Sequence, residues 1–405
     1  MPENEIPPNT EEQNPKKKEE YSKNIIETWD DLPSDNTGLQ RGIHAFGFEK
    51  PSPIQREAIG PILNGKDVIG QAQSGTGKTG AFSIGLLGRL DLKNATTQAL
   101  VLSPTRELSQ QTLSVIKGIG VMYKSPPLVC QLLIGGTSTD EDIRQLQQTP
   151  PHVVVGCPGR VHDMMRRHQI HSQHIQLCIL DEADEMLSAG FKEQVYNIFQ
   201  FFNTNTQVCL FSATMPQELS TLTEKFMRDP IKILVKNEQL TLEGIDQYYI
   251  ALDDDSAKYS ALKDLFGTIS LSQCIIYCNS VKRVGDLAEA MAEDAFPVCC
   301  IHSNMEKEDR NTAYNEFRSG KYRVLISTNV TARGIDIQQV RTVINFDIPK
   351  CIHTYIHRIG RSGRWGRKGN GINFITKRDV KKIKEIESHY STQIKELPSS
   401  FVKHI

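Results

Sequence analysis

At 405 residues the chain exceeds the roughly 100–200 residues that one core usually serves, so two domains are expected. With 38% hydrophobic and 23% charged residues, and no apolar run long enough to cross a bilayer, the composition excludes a membrane-spanning or largely disordered chain. The 47 Lys and Arg nearly balance the 48 Asp and Glu, so bulk charge points to no nucleic-acid partner and any such surface has to be local. Nine cysteines, an odd number without a CxxC pair, argue against a disulfide framework and against a zinc site.

Residues 1–24 are rich in Pro, Asn, Glu and Lys, with little to bury, and read as a disordered tail. They lack the apolar stretch of a secretory signal, so a cytoplasmic location is expected, with the nucleus left open. The basic run Lys16-Lys17-Lys18 could be a nuclear signal, but Glu19 and Glu20 follow at once and a solvated charge run is the simpler reading. From Asp67 short β-rich runs alternate with helical stretches: DVIGQ, ALVLSP, VVVGCP, LCILDE and VCLFSA. That alternation predicts an α/β domain over 25–234, a parallel sheet covered by helices. A polar stretch over 235–244 reads as a linker. Beyond it CIIYCN, VCCIHS, VLISTN and TVINFD restart the pattern and predict a second α/β domain over 245–405.

Strand DVIGQ runs into Ala72-Gln-Ser-Gly75-Thr76-Gly77-Lys78-Thr79 and then a helical segment, the order a phosphate cradle requires. Backbone N–H groups released by the glycines would converge on phosphate oxygens at a helix N-terminus. Lys78 would reach the terminal phosphates and Thr79 would hold Mg²⁺. Ala72 stands where the strict pattern has Gly, a small residue that still fits. The apolar strand LCIL then delivers Asp181 and Glu182 to its C-terminal end, where ligands of open α/β sheets bind. Asp181 would hold Mg²⁺ through water, and Glu182 would orient and deprotonate an attacking water. A glycine-rich turn without ligand and a solvated acidic turn are the bland alternatives, disfavoured by the strand–loop–helix order.

Further stretches occur in order along the chain. They are Gly47-Phe48-Glu-Lys50-Pro-Ser-Pro-Ile-Gln55, Pro104-Thr105-Arg106, Gly135-Gly136, Cys157-Pro158-Gly159-Arg160, Asp181-Glu182-Ala183-Asp184 and Ser212-Ala213-Thr214, and then Tyr277-Cys-Asn279-Ser280, Ser327-Thr328 through Arg333 to Asp336, and Tyr355-Ile-His357-Arg358-Ile-Gly-Arg361-Ser-Gly-Arg364. Together they resemble the DEAD-box RNA helicases, within them the branch of eukaryotic translation initiation factor 4A with its exon-junction and nucleolar relatives. The likeness runs from about Ile25 to the C-terminus. It implies two tandem RecA-like domains, each a mostly parallel sheet with helices on both faces.

By this resemblance Phe48, Lys50 and Gln55 read the adenine, with Trp29 as an upstream aromatic, and Asp336 touches the ribose. Arg361 and Arg364 look like arginine fingers, brought to ATP when the domains close. Ser212 and Thr214, with Asp184, Arg333 and His357, couple hydrolysis to closure. Pro104, Thr105, Arg106, Gly136, Pro158, Gly159 and Arg160 of the first domain, and Asn279, Arg310 and Thr328 of the second, face RNA phosphates and 2′-hydroxyls, so binding would ignore base sequence. The sequence departs from the pattern at Cys157 for Thr, at Ser303 and Asn304 for Gly and Asp, at Lys307 for Gln, and at Asn329 for Asp. Each carboxylate replaced by an amide removes a charge-assisted hydrogen bond, which bears on RNA-coupled turnover more than on ATP binding.

The implied function is an RNA-stimulated ATPase that uses ATP and Mg²⁺, binds single-stranded RNA in its closed state and melts short duplexes locally. A monomer is expected, with a protein scaffold or activator assisting closure, no membrane association, and translation initiation as the leading process. The rivals are an ATP-gated RNA clamp, a helicase of a splicing, exon-junction or ribosome-assembly complex, and, more weakly, a DNA translocase, for whose motor inserts the length leaves no room.

Overall fold

The computed structural model describes residues 25–33, 37–72, 75–188, 190–215, 217–234, 244–268, 273–332, 339–362 and 368–398. The expected tail, the linker apart from Gly244, and Arg333, Asp336 and Arg364 lie outside the described residues.

Two seven-stranded sheets follow one another along the chain. The first comprises β1 (Val68–Gln71), β2 (Ala99–Leu102), β3 (Cys130–Leu133), β4 (Val153–Gly156), β5 (Leu177–Asp181), β6 (Gln207–Ser212) and β7 (Ile231–Leu234), in the order β3-β4-β2-β5-β6-β1-β7. The second comprises β8 (Ile245–Ala251), β9 (Gln273–Tyr277), β10 (Val298–Ile301), β11 (Val324–Ser327), β12 (Val340–Asn345), β13 (Gly369–Ile375) and β14 (Lys395–Glu396), ordered β10-β11-β9-β12-β13-β8-β14. Every strand pair within the two sheets is parallel.

Parallel strands buried on both faces read as continuous apolar runs, and these do. Val101, Val153, Val155, Ile179 and Phe211 pack into one core while their neighbours Leu100, Leu102, Val154, Leu180 and Leu210 pack into another on the opposite face. In the second sheet Ile275, Tyr277, Leu325 and Val343 face one core, and Cys274, Ile276, Ile326 and Ile344 the other. Helices therefore cover both faces of each sheet, as the tandem RecA-like architecture requires.

Register decides what the sheet edges carry. In the first sheet Leu102 and Leu133 both align with Gly156, so the segments after β2, β3 and β4 leave the sheet side by side. Gln71 aligns with Ser212 and Asp181 with Phe211, which groups the ends of β1, β5 and β6 in the same way, and Leu102 opposite Leu180 joins the two groups along one edge. The second sheet repeats the arrangement: Ile301 aligns with Ser327, and Tyr277 with both Ser327 and Asn345.

Candidate nucleotide and RNA site

The cradle begins where β1 ends. Gly77 stands at φ +99 directly before the helix Lys78–Arg89, and a Cβ there would come within 2.6 Å of Ser52 Oγ and 2.9 Å of Gln55 Nε2. Only glycine makes this turn in this space. Gln55 braces it: its amide donates to the Gly77 carbonyl at 3.2 Å and accepts the Ser52 N–H at 2.8 Å, one half of a capping box on the helix Pro53–Leu63. One amide hydrogen and one lone pair of Gln55 are left over. Phe48 lies beside it, its ring 3.1 Å from where a Cβ on Gly80 would be, and Lys50 is exposed. Gly75 is exposed, and Thr76 and Thr79 are half-exposed at the open end of the loop. Lys78 is buried, its ammonium donating to the Ala72 carbonyl at 2.7 Å across the loop.

Trp29 is placed differently from a nucleotide-stacking aromatic. It is buried, its indole N–H donating to the Phe48 carbonyl at 2.9 Å and its ring 6.3 Å from that of Phe48. It supports the adenine-side segment from behind.

Asp181, Glu182 and Asp184 expose only 2%, 5% and 4% of their surface, so three carboxyls share a nearly dry corner at the end of β5. Burial first, and the charge of Glu182 second, push the Asp181 carboxyl up to about 7, while the Lys78 ammonium pulls the other way. A carboxyl held protonated by burial gives up that proton when a cation comes to it, so the buried Asp181 carboxyl and the half-exposed Thr79 hydroxyl suit a divalent metal. Glu182 stands at φ +55, a left-handed conformation that costs a non-glycine residue about 1–3 kcal/mol. The strand before it and the helix Ala183–Ser188 after it hold the chain to that bend.

Asp184 is the meeting point. Its Oδ2 accepts the Thr214 hydroxyl at 2.7 Å, and the Ser212 hydroxyl donates to the Thr214 carbonyl at 2.7 Å. His357, on the helix Ile352–Ile359 of the second domain, places Nε2 3.4 Å from the same Asp184 oxygen and Nδ1 3.9 Å from Glu182 Oε2. Glu182, Asp184 and His357 present ligand atoms within 4.8 Å of one another and could in principle hold a metal. Asp184 already carries the Thr214 hydroxyl on the oxygen nearest the imidazole, which favours a bridge between the domains. Arg361 is buried one turn beyond, its Nε donating to the His357 carbonyl at 3.1 Å.

The candidate RNA residues of the first domain gather at the ends of β2, β3 and β4. Thr105 caps the helix Arg106–Ile119, its hydroxyl accepting the Leu108 N–H at 3.2 Å, and Pro104 is buried behind it. Gly136, at φ +78, lets Arg106 approach: a Cβ there would meet Arg106 Nη1 at 2.9 Å. Pro158 opens the helix Pro158–Arg166 and Gly159 is exposed at its start. Arg160 is committed inward, in an ion pair with Asp142 and donating to the Thr137 carbonyl at 2.9 Å. Cys157 is buried, its sulfur 3.7 Å from the Ser109 hydroxyl, and burial pushes its thiol up to about 11.

In the second domain Thr328 is half-exposed after β11. The Asn279 amide donates to the Ile348 carbonyl at 2.8 Å and accepts from Arg358 at 2.8 Å. Arg310, on the helix Lys307–Arg318, reaches the first domain and pairs with Glu107. Asp142, Thr137, Glu107 and Arg358 are the structural partners that reading the sequence did not single out. Arg358 alone of these lies inside a stretch quoted above, and Glu107 directly follows one.

The chain matches the DEAD/DEAH box helicase family over residues 52–222 and the helicase conserved C-terminal domain over 257–366. It is 51% identical to eukaryotic initiation factor 4A of Caenorhabditis elegans over 93% of this chain and 92% of the relative, and 51% identical to a probable eukaryotic initiation factor 4A of Trypanosoma cruzi over 94% of each. Among solved structures it is similar to S. cerevisiae Dbp5 bound to RNA and ADP BeF3, with a TM-score of 0.85 at 34% identity over 93% of this chain and 97% of that one. Mss116p bound to ssRNA and AMP-PNP gives a TM-score of 0.82 at 27% identity, over 93% of this chain and 81% of that one. The phosphate cradle, the acidic corner and the second domain brought to it by His357 are thus the parts of an ATP-hydrolysing machine, and the chain belongs to the DEAD-box family of ATP-dependent RNA helicases.

Proposed function

We propose that this helicase acts in translation initiation in the cytoplasm, as a monomer whose closure around ATP and RNA is assisted by a protein scaffold. The observation that carries the closure is Asp184, shared between Thr214 of its own domain at 2.7 Å and His357 of the other at 3.4 Å. The process rests on the likeness to initiation factors at about half identity over nearly the whole chain. The units that close are residues 25–234 and 245–405, joined through 235–244.

In the first domain the backbone N–H groups of Gly75, Thr76 and Gly77 cradle the phosphates, and Lys78 exchanges the Ala72 carbonyl for a terminal phosphate oxygen. Phe48 and the spare donor and acceptor of Gln55 read the adenine, with Lys50 at the rim and Asp336 on the ribose. Asp181 and Thr79 hold Mg²⁺, which supplies charge neutralisation at the phosphates. Glu182 orients the attacking water and takes its proton. Arg361 and Arg364 meet the charge that develops on the phosphoryl group, and closure through Asp184, Ser212, Thr214, Arg333 and His357 brings them there.

RNA lies along the paired edges, on Arg106, Gly136, Gly159, Thr328 and their neighbours, without reading bases. Arg160, Arg310 and Asn279 shape that surface through Asp142, Glu107 and Arg358, and the hydrogens they have left contact the strand.

Steady-state ATP hydrolysis with and without RNA tests the activity. A several-fold rise with RNA is expected, whereas ATP-dependent RNA binding with no rise would favour a clamp. Affinity purification from the native cell tests the process, with recovery of a mRNA-cap scaffold expected and recovery of a splicing or ribosome-assembly complex overturning it.

A further inference from the structure

Arg358 is the largest fully buried side chain among the described residues. Its Nε donates to Asn329 Oδ1 at 2.8 Å, Nη1 to Asn345 Oδ1 at 3.1 Å and to the Asp347 carbonyl at 2.7 Å, and Nη2 to Asn279 Oδ1 at 2.8 Å. Its guanidinium also lies 5.1 Å from the centre of the Tyr277 ring. All four acceptors are neutral. The nearby carboxylate of Asp347 is taken by Lys258 at 3.2 Å, by Arg283 at 3.0 Å and by the Asn279 N–H at 3.0 Å. Burial accordingly lowers the Arg358 guanidinium to about 10, with Tyr277, Cys278 and Asp347 opposing.

The three amides come from three different segments of one sheet edge: Asn279 after β9, Asn329 after β11 and Asn345 at the end of β12. Arg358 follows His357 on the helix that faces the nucleotide corner, and Arg361 lies in the turn just past the end of that helix. One guanidinium therefore fastens the RNA-side loops to the ATP-side helix. Of its amide partners Asn345 is buried while Asn279 and Asn329 are exposed, and Asn329, next to Thr328, is the one that replaces a carboxylate expected at its position.

We propose that Asn329 is a positioning residue: its amide oxygen on Arg358 sets how firmly the RNA-facing end of β11 is tied to the helix that carries His357 and leads into Arg361. A carboxylate there would pair with the guanidinium and tighten the tie, whereas a methyl group would release it. The neutral amide holds the joint at intermediate strength, so this helicase needs more RNA to close than a carboxylate version of itself. This inference rests on the proposed placement of Thr328 against RNA.

The test uses full-length Asn329→Ala and Asn329→Asp, with ATP hydrolysis followed against poly(U) RNA concentration, KM for ATP at saturating RNA, and thermal melting. Asn329→Ala should raise the half-saturating RNA concentration about tenfold and Asn329→Asp should lower it about threefold or more, with KM for ATP within about twofold in both. Opposite shifts in RNA dependence at constant KM for ATP are not what general loosening of the domain gives. That would instead lower the melting temperature and kcat together. An Asn329→Asp protein that matches Asn329→Ala, or three proteins with one half-saturation point, overturns the inference. A natural protein whose hydrolysis ignores RNA would instead overturn the functional reading on which it rests.

Discussion

Each domain buries a guanidinium near its candidate RNA edge, and the two are held in opposite ways. Arg160 in the first domain meets the carboxylate of Asp142, with both side chains about nine-tenths buried. Arg358 in the second meets three carboxamides and a carbonyl. A buried ion pair fixes geometry strongly, because removing either partner strands the other charge. Neutral acceptors hold a cation more weakly and let its surroundings shift at lower cost. At these two joints the first domain is thus the stiffer platform and the second the softer side, the one that carries Asn304 and Asn329.

The largest effect that could break this division comes from the groups the second domain contributes. Arg361→Ala should lower RNA-stimulated hydrolysis by about 10³- to 10⁵-fold, because a finger completing the transition state contributes on that scale. ATP binding, measured with a fluorescent analogue, should stay within about threefold, since the cradle is built by the first domain alone. A loss of hydrolysis below tenfold would move the finger to another residue.

Glu182→Gln works on the platform side. The amide keeps the bend at φ +55 and the shape of the acidic corner but cannot take a proton. Hydrolysis should fall by about 10²- to 10⁴-fold while ATP-dependent RNA binding persists. If turnover is unaffected, the base lies elsewhere in the corner.

The comparison of the two arginines is sharpened by Asp142→Asn, which gives Arg160 the kind of partner Arg358 has. The substitution leaves a buried guanidinium without its carboxylate, in a platform packed around the pair, and should destabilise the first domain by about 3 kcal/mol in denaturant unfolding. A change under about 0.5 kcal/mol, the size expected of an ordinary surface substitution, would mean that Arg160 needs no carboxylate and that the domains do not differ in this respect.

How much of this was legible in the sequence depends on range. Strands such as LCIL and ALVL declared themselves because both faces are buried, and the cradle did so because strand, glycines and Lys78 are contiguous. Asp142 as the partner of Arg160 was hidden, since it sits on another helix in a stretch, STDEDIRQ, that reads as a solvated acidic face. Glu107 and Arg310 meet across 203 residues, which no local pattern reveals. Arg358 is the hardest case. Nothing local in HRIGRSGR says that Arg358 is fully buried, and a charged residue on a short helix is normally taken for surface. Trp29 was legible as an aromatic near the adenine segment, but not as one turned inward to brace Phe48.

The smallest effect concerns Cys157, the one departure that lies on the platform. It is the residue before the helix Pro158–Arg166, at φ −85 and ψ 144, the backbone of an N-cap, yet its side chain makes no capping hydrogen bond. Its sulfur rests 3.7 Å from the Ser109 hydroxyl instead, a weak contact. A threonine at this position offers an oxygen to the N–H groups of the first turn, so Cys157→Thr should stabilise the first domain by about 0.5–2 kcal/mol. The same hydroxyl can donate to an RNA phosphate beside the exposed Gly159, so RNA affinity should rise modestly, by about two- to fivefold. The two readouts separate the roles. A gain in denaturant midpoint with unchanged RNA affinity would mean that the hydroxyl is consumed by the cap. A loss of stability would mean that the buried pocket around Ser109 is fitted to sulfur, and that the cysteine is a packing choice whose replacement the platform does not tolerate.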